Sequence, residues 1–307
     1  MLVPCPVTTY RPAMTLVLTL IAASSDSGLE EVAAGLTRRL DASPRWLSPG
    51  TAVDLLFDAI PAEIARVEAE QAIADKAIDH ALQPVHGRRK KLLVGDMDST
   101  FITVECIDVL AAHAGLGDAV AAITQRSIRG ELDFGDSLRE RVALLAGAPQ
   151  ELLERAWHDN VAMTPGGATL IVTMQHHGAL TALVSGGFTW FTERVVDKLG
   201  FDRHHANELE IADGAMSGRL REPILDRDAK RTLLFEMMQE LGLSSSETLA
   251  VGDGANDIAM LKAAGLGVGY HPVDAARRVA DAAIDHADLS ALLYLQGYVD
   301  EDFVTPT

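Results

Sequence analysis

The chain has 307 residues, of which 26 are lysine or arginine and 44 are aspartate or glutamate, giving a formal net charge of -18 at pH 7. Such an acidic excess excludes a nucleic-acid partner, because holding a phosphate backbone needs clustered positive charge, and it disfavours an anionic membrane surface. The length allows two domains with a substantial core. Its two cysteines, Cys5 and Cys106, lack metal-ligand spacing, which argues against a disulfide framework or a zinc site and fits a reducing, cytoplasmic setting.

Residues 14–24 imitate the apolar part of a secretory leader, with Arg11 ahead and small residues behind. The run is too short to span a bilayer, and its threonines and branched residues suit a buried strand; Met14 offers an alternative start. Strand patterns at 15–22, 52–57 and 78–84 alternate with helix patterns at 28–40 and 61–74, the second carrying proline in its first turn. The order resembles a small βαββαβ module of the ACT type. Residues 1–85 are therefore expected to form an ACT-like α+β domain that regulates or dimerises, and no ligand-binding motif is evident in it. His86-Gly87-Arg88-Arg89-Lys90-Lys91 reads as a linker over 86–91 and as a solvated charge run.

The strongest strand pattern, 91–95, runs into Asp96-Met97-Asp98-Ser99-Thr100. From 106 to 161 the pattern is helical, with apolar spacing at 107–112 and 138–145. After Thr164-Pro165-Gly166 a helix at 167–176, a strand at 180–185 and a helix at 188–199 restore the alternation that implies a parallel sheet with crossover helices. In such a sheet, ligands sit beyond the carboxyl ends of the strands. The acidic tail beyond 295 is expected to fray.

Four polar clusters follow apolar runs. Asp96 and Asp98 end the first strand, and two carboxylates at a buried strand end are costly without a cation or a proton. Ser185-Gly186-Gly187 supplies a hydroxyl and flexible amides that could open a helix and meet an anion. Lys230 stands near the start of a helix running to Leu241, and Asp253-Gly254-Ala255-Asn256-Asp257 ends another strand.

In this order the clusters resemble the four motifs of the haloacid dehalogenase superfamily, covering the chain from Leu92 to about His286. The resemblance implies an α/β fold: a Rossmann-like parallel-sheet core over 92–295, a helical cap of the C1 type inserted at about 102–163, and a tail at 296–307. It also implies Asp96 as the nucleophile that becomes an aspartyl phosphate, with Asp98 as general acid and then general base. Asp96, the Asp98 carbonyl and Asp253 would hold Mg2+, with Asp257 as an outer or water-mediated partner. Ser185, the Gly186 amide and Lys230 would hold phosphoryl oxygens, and Asn256 the phosphate or its neighbours. Repulsion among the four aspartates is expected to place a proton on Asp98. Transport ATPases of this lineage carry threonine where Asp98 stands, and the dehalogenases lack the metal pattern, so phosphatase chemistry is expected.

Glu105, Phe134 and the run Ser137-Leu138-Arg139-Glu140-Arg141-Val142 are similar to the pattern of the phosphoserine phosphatase subgroup. That implies Glu105 for a substrate ammonium, Arg141 for its carboxylate and Phe134 on the apolar side, with L-phosphoserine as substrate in the last step of serine biosynthesis. Ser99 and Thr100 are expected to shape the turn, with Thr100 bonding near the nucleophile. The alternatives are phosphotransfer to another small metabolite such as homoserine, and an amino-acid sensor built on the amino-terminal module, through which the chain could also form a homodimer. The pairs His176-His177 and His204-His205 read as surface or loop positions, because adjacent side chains point apart.

Overall fold

The structure, a computed structural model, describes residues 15–306. The readings that involve Cys5, Arg11 and Met14 lie outside the described residues. Strand β1 (Leu16–Ala22) is apolar on both faces because it is covered on both. Leu18, Leu20 and Ala22 pack with helices α1 (Leu29–Leu40) and α2 (Ala62–Ile73), whereas Ile21 joins the large core that contains Leu292 and Leu293. β2 (Ser43–Ser48), β3 (Ala52–Phe57) and β4 (Ile78–Pro84) complete a βαββαβ unit, and β1 pairs antiparallel with β3 and β4. β2 had no strand pattern because it is an edge strand whose first four residues are exposed, with Pro44 tolerated there.

The remaining strands are β5 (Leu92–Gly95), β6 (Leu180–Phe188), β7 (Arg203–Asn207), the hairpin β8 (Leu209–Ala212) and β9 (Ala215–Leu220), β10 (Thr248–Gly252), β11 (Leu266–Tyr270) and β12 (Ala282–Ile284). β12, β11, β10, β5, β6 and β7 form a parallel run in that order. β4 pairs antiparallel with β12, so a single ten-stranded sheet passes through both parts of the chain. The crossovers carry α7 (Gly167–His176), α8 (Thr189–Leu199), α9 (Arg227–Leu241) and α10 (Ile258–Ala263). Between β5 and α7 the chain makes four helices, α3 (Cys106–His113), α4 (Gly117–Ile128), α5 (Phe134–Leu144) and α6 (Glu151–Asn160). Their root is closed by the Ile102–Met163 bridge and by the Thr164 amide donating to the Phe101 carbonyl at 2.9 Å. No described helix is long and apolar enough to cross a membrane.

Three readings need correction. The segment beyond 295 does not fray: Gln296 and Tyr298 are buried, and the Val304 amide donates to Thr173 Oγ1 at 2.9 Å. β6 continues to Phe188 and α8 begins at Thr189, so Gly186 and Gly187 belong to the strand end and open no helix. Arg88 and Lys90 are not solvated but buried, with 8% and 7% exposure. The Arg88 guanidinium reaches Asp54 at 2.6 and 3.1 Å, Thr19 at 2.8 Å, and the carbonyls of Tyr294 and Leu295 at 3.0 Å each. All three guanidinium nitrogens find acceptors in the βαββαβ unit or the carboxyl-terminal segment, which is how a buried charge becomes tolerable. Asp79 on β4, 2% exposed, likewise accepts the amides of Asp285, His286 and Ala287 at 2.8, 3.2 and 2.8 Å.

Replacing Arg88 by methionine strands the Asp54 carboxylate, so the denaturation midpoint should fall by the equivalent of about 3–5 kcal/mol. In Arg88→Met/Asp54→Leu most of that loss should return, because the uncompensated charge is gone; an unchanged midpoint in the single variant would contradict the clamp.

Candidate active site

The site lies at the carboxyl ends of β5 and β10. The parallel register pairs Gly95 with Val251, and the Asp96 amide donates to the Val251 carbonyl at 3.0 Å, which sets Asp96 beside the start of the Gly252–Asp257 loop. Glycine ends both strands for a spatial reason. A β-carbon on Gly95 would stand 2.3 Å from the Phe101 ring, and one on Gly252 would stand 2.4 Å from the Asp257 carboxyl carbon. Phe101 and Asp257 can therefore close beneath the strand tips.

Asp96, 4% exposed, takes the Met97 amide on Oδ1 at 2.7 Å; its Oδ2 lies 2.7 Å from Lys230 Nζ and 3.3 Å from Asn256 Nδ2. Asp226 caps α9 by accepting the Asp228 and Ala229 amides, each at 2.9 Å, and this fixes the first turn that carries Lys230. Lys230, 1% exposed, donates equally to Asp257 Oδ1 at 2.7 Å, while Asp257 Oδ2 accepts the Gly254 amide at 3.0 Å. Thr100 donates to Asp253 at 3.2 Å and Cys106 N–H to Asp98 Oδ1 at 3.1 Å.

Oxygens of Asp96, Asp253 and Asp257 lie within 4.8 Å of one another. An all-carboxylate set suits a hard divalent cation, so these residues fit the metal that the motifs imply. The electrostatics say the same. Burial and the neighbouring Asp257 push the Asp96 carboxyl well above the usual range, against the pull of Lys230. Burial and Asp257 also raise Asp253 to about 7. Burial works to lower the Lys230 ammonium, but the Asp257 and Asp96 carboxylates outweigh it and hold the group above its ordinary value. One lysine does not neutralise the cluster. Asp98 is raised as well, by burial and against the Cys106 hydrogen bonds, so the expectation of a proton on Asp98 through repulsion alone is replaced by burial acting on both Asp96 and Asp98.

A cavity of about 120 Å³ opens over these groups, and Glu105, Phe134, Arg141, Gly186 and Asn256 line it together with Asp96, Asp98 and Asp253. Glu105 precedes α3, does not cap it with its own side chain and accepts the Ser99 hydroxyl at 2.7 Å. It opens onto the cleft, yet desolvation by the surrounding walls and the charge of Asp98 push its carboxyl up to about 8. Arg141 on α5 donates Nε to the Ser137 carbonyl at 3.3 Å, forms no described ion pair and lines the cavity. Phe134, the first residue of α5, fills the space a β-carbon on Gly186 would take, 2.7 Å from that position. Ser185 is fully buried and accepts the Gly187 amide at 2.8 Å.

All eleven residues singled out from the sequence thus lie in or directly beneath one cleft. Cys106 was missed as part of it, Gly187 was read for its amide and not for the space it leaves, and Ser99 was expected only to shape the turn. Ser99 holds φ 54°, unusual for a non-glycine residue, and no local pattern announces that.

The family model for haloacid dehalogenase-like hydrolases matches residues 93–262. The chain belongs to that family. It is 41% identical over 256 residues to the phosphoserine phosphatase of Streptomyces coelicolor, an alignment covering 83% of this chain and 62% of that protein. A phosphoserine phosphatase from a Polaromonas species is 42% identical over 210 residues, 67% of this chain and 89% of the relative. Thus the chain spans about three fifths of the length of the Streptomyces relative. Among solved structures, an unliganded probable phosphoserine phosphatase from Vibrio cholerae is similar with a TM-score of 0.74 at 28% identity, covering 92% of this chain and 86% of that one.

Because the folded Asp253 binds its proton up to about pH 7 and the unfolded group only to 3.8, the metal-free protein should lose stability as pH rises across that window. Asp253→Asn should flatten this part of the profile. Thermal midpoints with and without Mg2+ should diverge over the same interval, since the ion needs ionised ligands; parallel profiles would contradict the metal assignment.

Proposed function

We propose that the chain is a phosphoserine phosphatase that hydrolyses L-phosphoserine to serine and phosphate through an aspartyl phosphate on Asp96. The observation that carries this reading is the shared cavity, in which Glu105 and Arg141 stand beside the aspartate cluster. A phosphomonoester of a zwitterion needs three recognitions: a cationic pole for the phosphate, an anion for the ammonium and a guanidinium for the carboxylate. The similarity to phosphoserine phosphatases from Streptomyces and Polaromonas supports the same substrate.

In this mechanism a carboxylate oxygen of Asp96 attacks phosphorus, and Asp98 gives its proton to the leaving serine oxygen. Asp98 then takes a proton from the water that cleaves the acyl phosphate. Ser185, the Gly186 amide and Lys230 hold the equatorial oxygens, and Asn256 steadies Asp96. Asp96, the Asp98 carbonyl, Asp253 and Asp257 would hold Mg2+, which when bound offsets the negative charge shared by carboxylates and phosphate. Helices α3–α6 serve as the cap, and the βαββαβ unit as an ACT-like module in which the open edge of β2 is the natural seam for a homodimer. We place the enzyme in the cytoplasm, at the last step of serine biosynthesis.

Phosphate release with Mg2+ should be fastest from L-phosphoserine among small phosphoesters; faster release from phosphoglycolate or a nucleotide, or trapping of phosphohomoserine when homoserine is supplied, would overturn the substrate. Asp96→Asn should abolish phosphoenzyme, whereas Asp98→Asn should let it form slowly and persist.

Arg141→Lys loses the fork that meets a carboxylate. KM for phosphoserine should rise by about 10- to 100-fold, the equivalent of a charge-assisted hydrogen bond, with a smaller change in kcat. Equal KM values would remove Arg141 from substrate binding.

A further inference from the structure

Two adjacent glycines end β6, and neither owes its place to backbone conformation, since Gly186 and Gly187 both lack a positive φ. What they supply is space. The gap at Gly186 admits Phe134 of α5; the gap at Gly187 admits Asp98. A β-carbon on Gly187 would stand 2.7 Å from Asp98 Oδ2, 3.0 Å from Ser185 Oγ and 3.1 Å from Met97 Cε. The other oxygen of the same carboxyl, Oδ1, is tied by the Cys106 amide at 3.1 Å, the first amide of the eight-residue α3. The carboxyl group is therefore held by features that carry no charge: the Cys106 amide fixes one oxygen, the gap at Gly187 leaves room for the other, and the Cys106 thiol and Ser185 hydroxyl also bond to it.

We propose that Gly187 and the Cys106 amide are positioning groups that seat Asp98 and make Oδ2 the oxygen that exchanges the catalytic proton. This rests on the acid–base reading of Asp98 given above. Oδ1 accepts the Cys106 N–H, so the proton sits on Oδ2 in the acid form. As Asp96 bonds to phosphorus and the ester P–O bond breaks, Oδ2–H passes its proton to the departing serine oxygen. In the second step Oδ2 takes a proton from water as the water oxygen bonds to phosphorus and the Asp96 carboxylate leaves. Both steps need Oδ2 facing the reacting oxygen over Gly187.

A methyl group at position 187 pushes against a short side chain rather than backbone, so the chain folds while the carboxyl turns away. The leaving group then reports the damage. Serine's alkoxide needs a proton, whereas p-nitrophenolate departs without one. In Gly187→Ala with Mg2+, single-turnover cleavage of phosphoserine should slow by about 10- to 100-fold, while the p-nitrophenolate burst from p-nitrophenyl phosphate should slow by no more than about threefold. Cys106→Pro gives an independent probe, because proline is tolerated at the first position of a helix and lacks the donor N–H; it also removes the buried thiol, so Cys106→Ala, which removes the thiol and keeps the N–H, is its control, and the split should appear in Cys106→Pro and not in Cys106→Ala. Equal slowing of both esters in Gly187→Ala and Cys106→Pro, or no slowing of either, overturns the proposal. Asp98→Asn separates the two levels: if it shows the split and neither of those two variants does, the seat fails and the acid–base role stands. If Asp98→Asn lacks the split, both fall.

Discussion

The ammonium of Lys230, buried between Asp96 and Asp257 at 2.7 Å from each, is the interaction on which the rest of the site depends. Carboxylates gathered at the ends of two neighbouring strands repel one another and resist burial, and a fold that brought them together without compensation would neutralise them instead. One fixed cation at the first turn of α9 opposes the rise that burial imposes on Asp96. It leaves Asp253 and Asp98 short of positive charge, a shortfall that a divalent ion would meet. The same lysine explains why α9 is capped by Asp226 rather than left to fray: a turn of play at that helix end would move the ammonium away from both partners.

The parallel sheet converts sequence distance into contact. Asp96 and Asp253 are far apart along the chain but follow β5 and β10, which are hydrogen-bonded neighbours. Ser185 lies in β6, on the other side of β5. The apolar runs that bury these strands are what made the clusters conspicuous in the sequence, because a polar group right after four or five buried residues has few structural explanations. Chain order alone did not say which strands were neighbours; that came from the resemblance of all four clusters taken together.

What escaped the sequence shares a physical character. Gly187 and Cys106 act through space left empty and through a backbone amide, and neither leaves a side-chain signature. Ser99 acts through a left-handed backbone that glycine or asparagine would normally advertise. Arg88 was misread because its neighbours in sequence are basic and polar, whereas its partners are Thr19 and Asp54 behind it and the carbonyls of Tyr294 and Leu295 far ahead. A charge run looks solvated until the acceptors that bury it are in place. The Asp213-Gly214 turn of the β8–β9 hairpin was a readable signal, and both residues take positive φ, but the short strands around it do not alternate cleanly.

The amino-terminal unit is bound to the catalytic part more tightly than its separate topology suggests. β4 extends the catalytic sheet, Arg88 spans the seam, and Asp79 holds the three amides of residues 285–287. That loop continues into Leu289, whose amide donates to the Pro165 carbonyl at 3.1 Å, beside the root of α3–α6. A β-carbon on Gly166, which takes φ 77°, would fall 2.4 Å from the Ser290 amide nitrogen, so the loop and the root are packed without slack. Close packing of this kind transmits displacement rather than absorbing it. A buried carboxylate holding three backbone donors is costly to loosen, so the loop that abuts the root of α3–α6 is itself held by the amino-terminal strand β4.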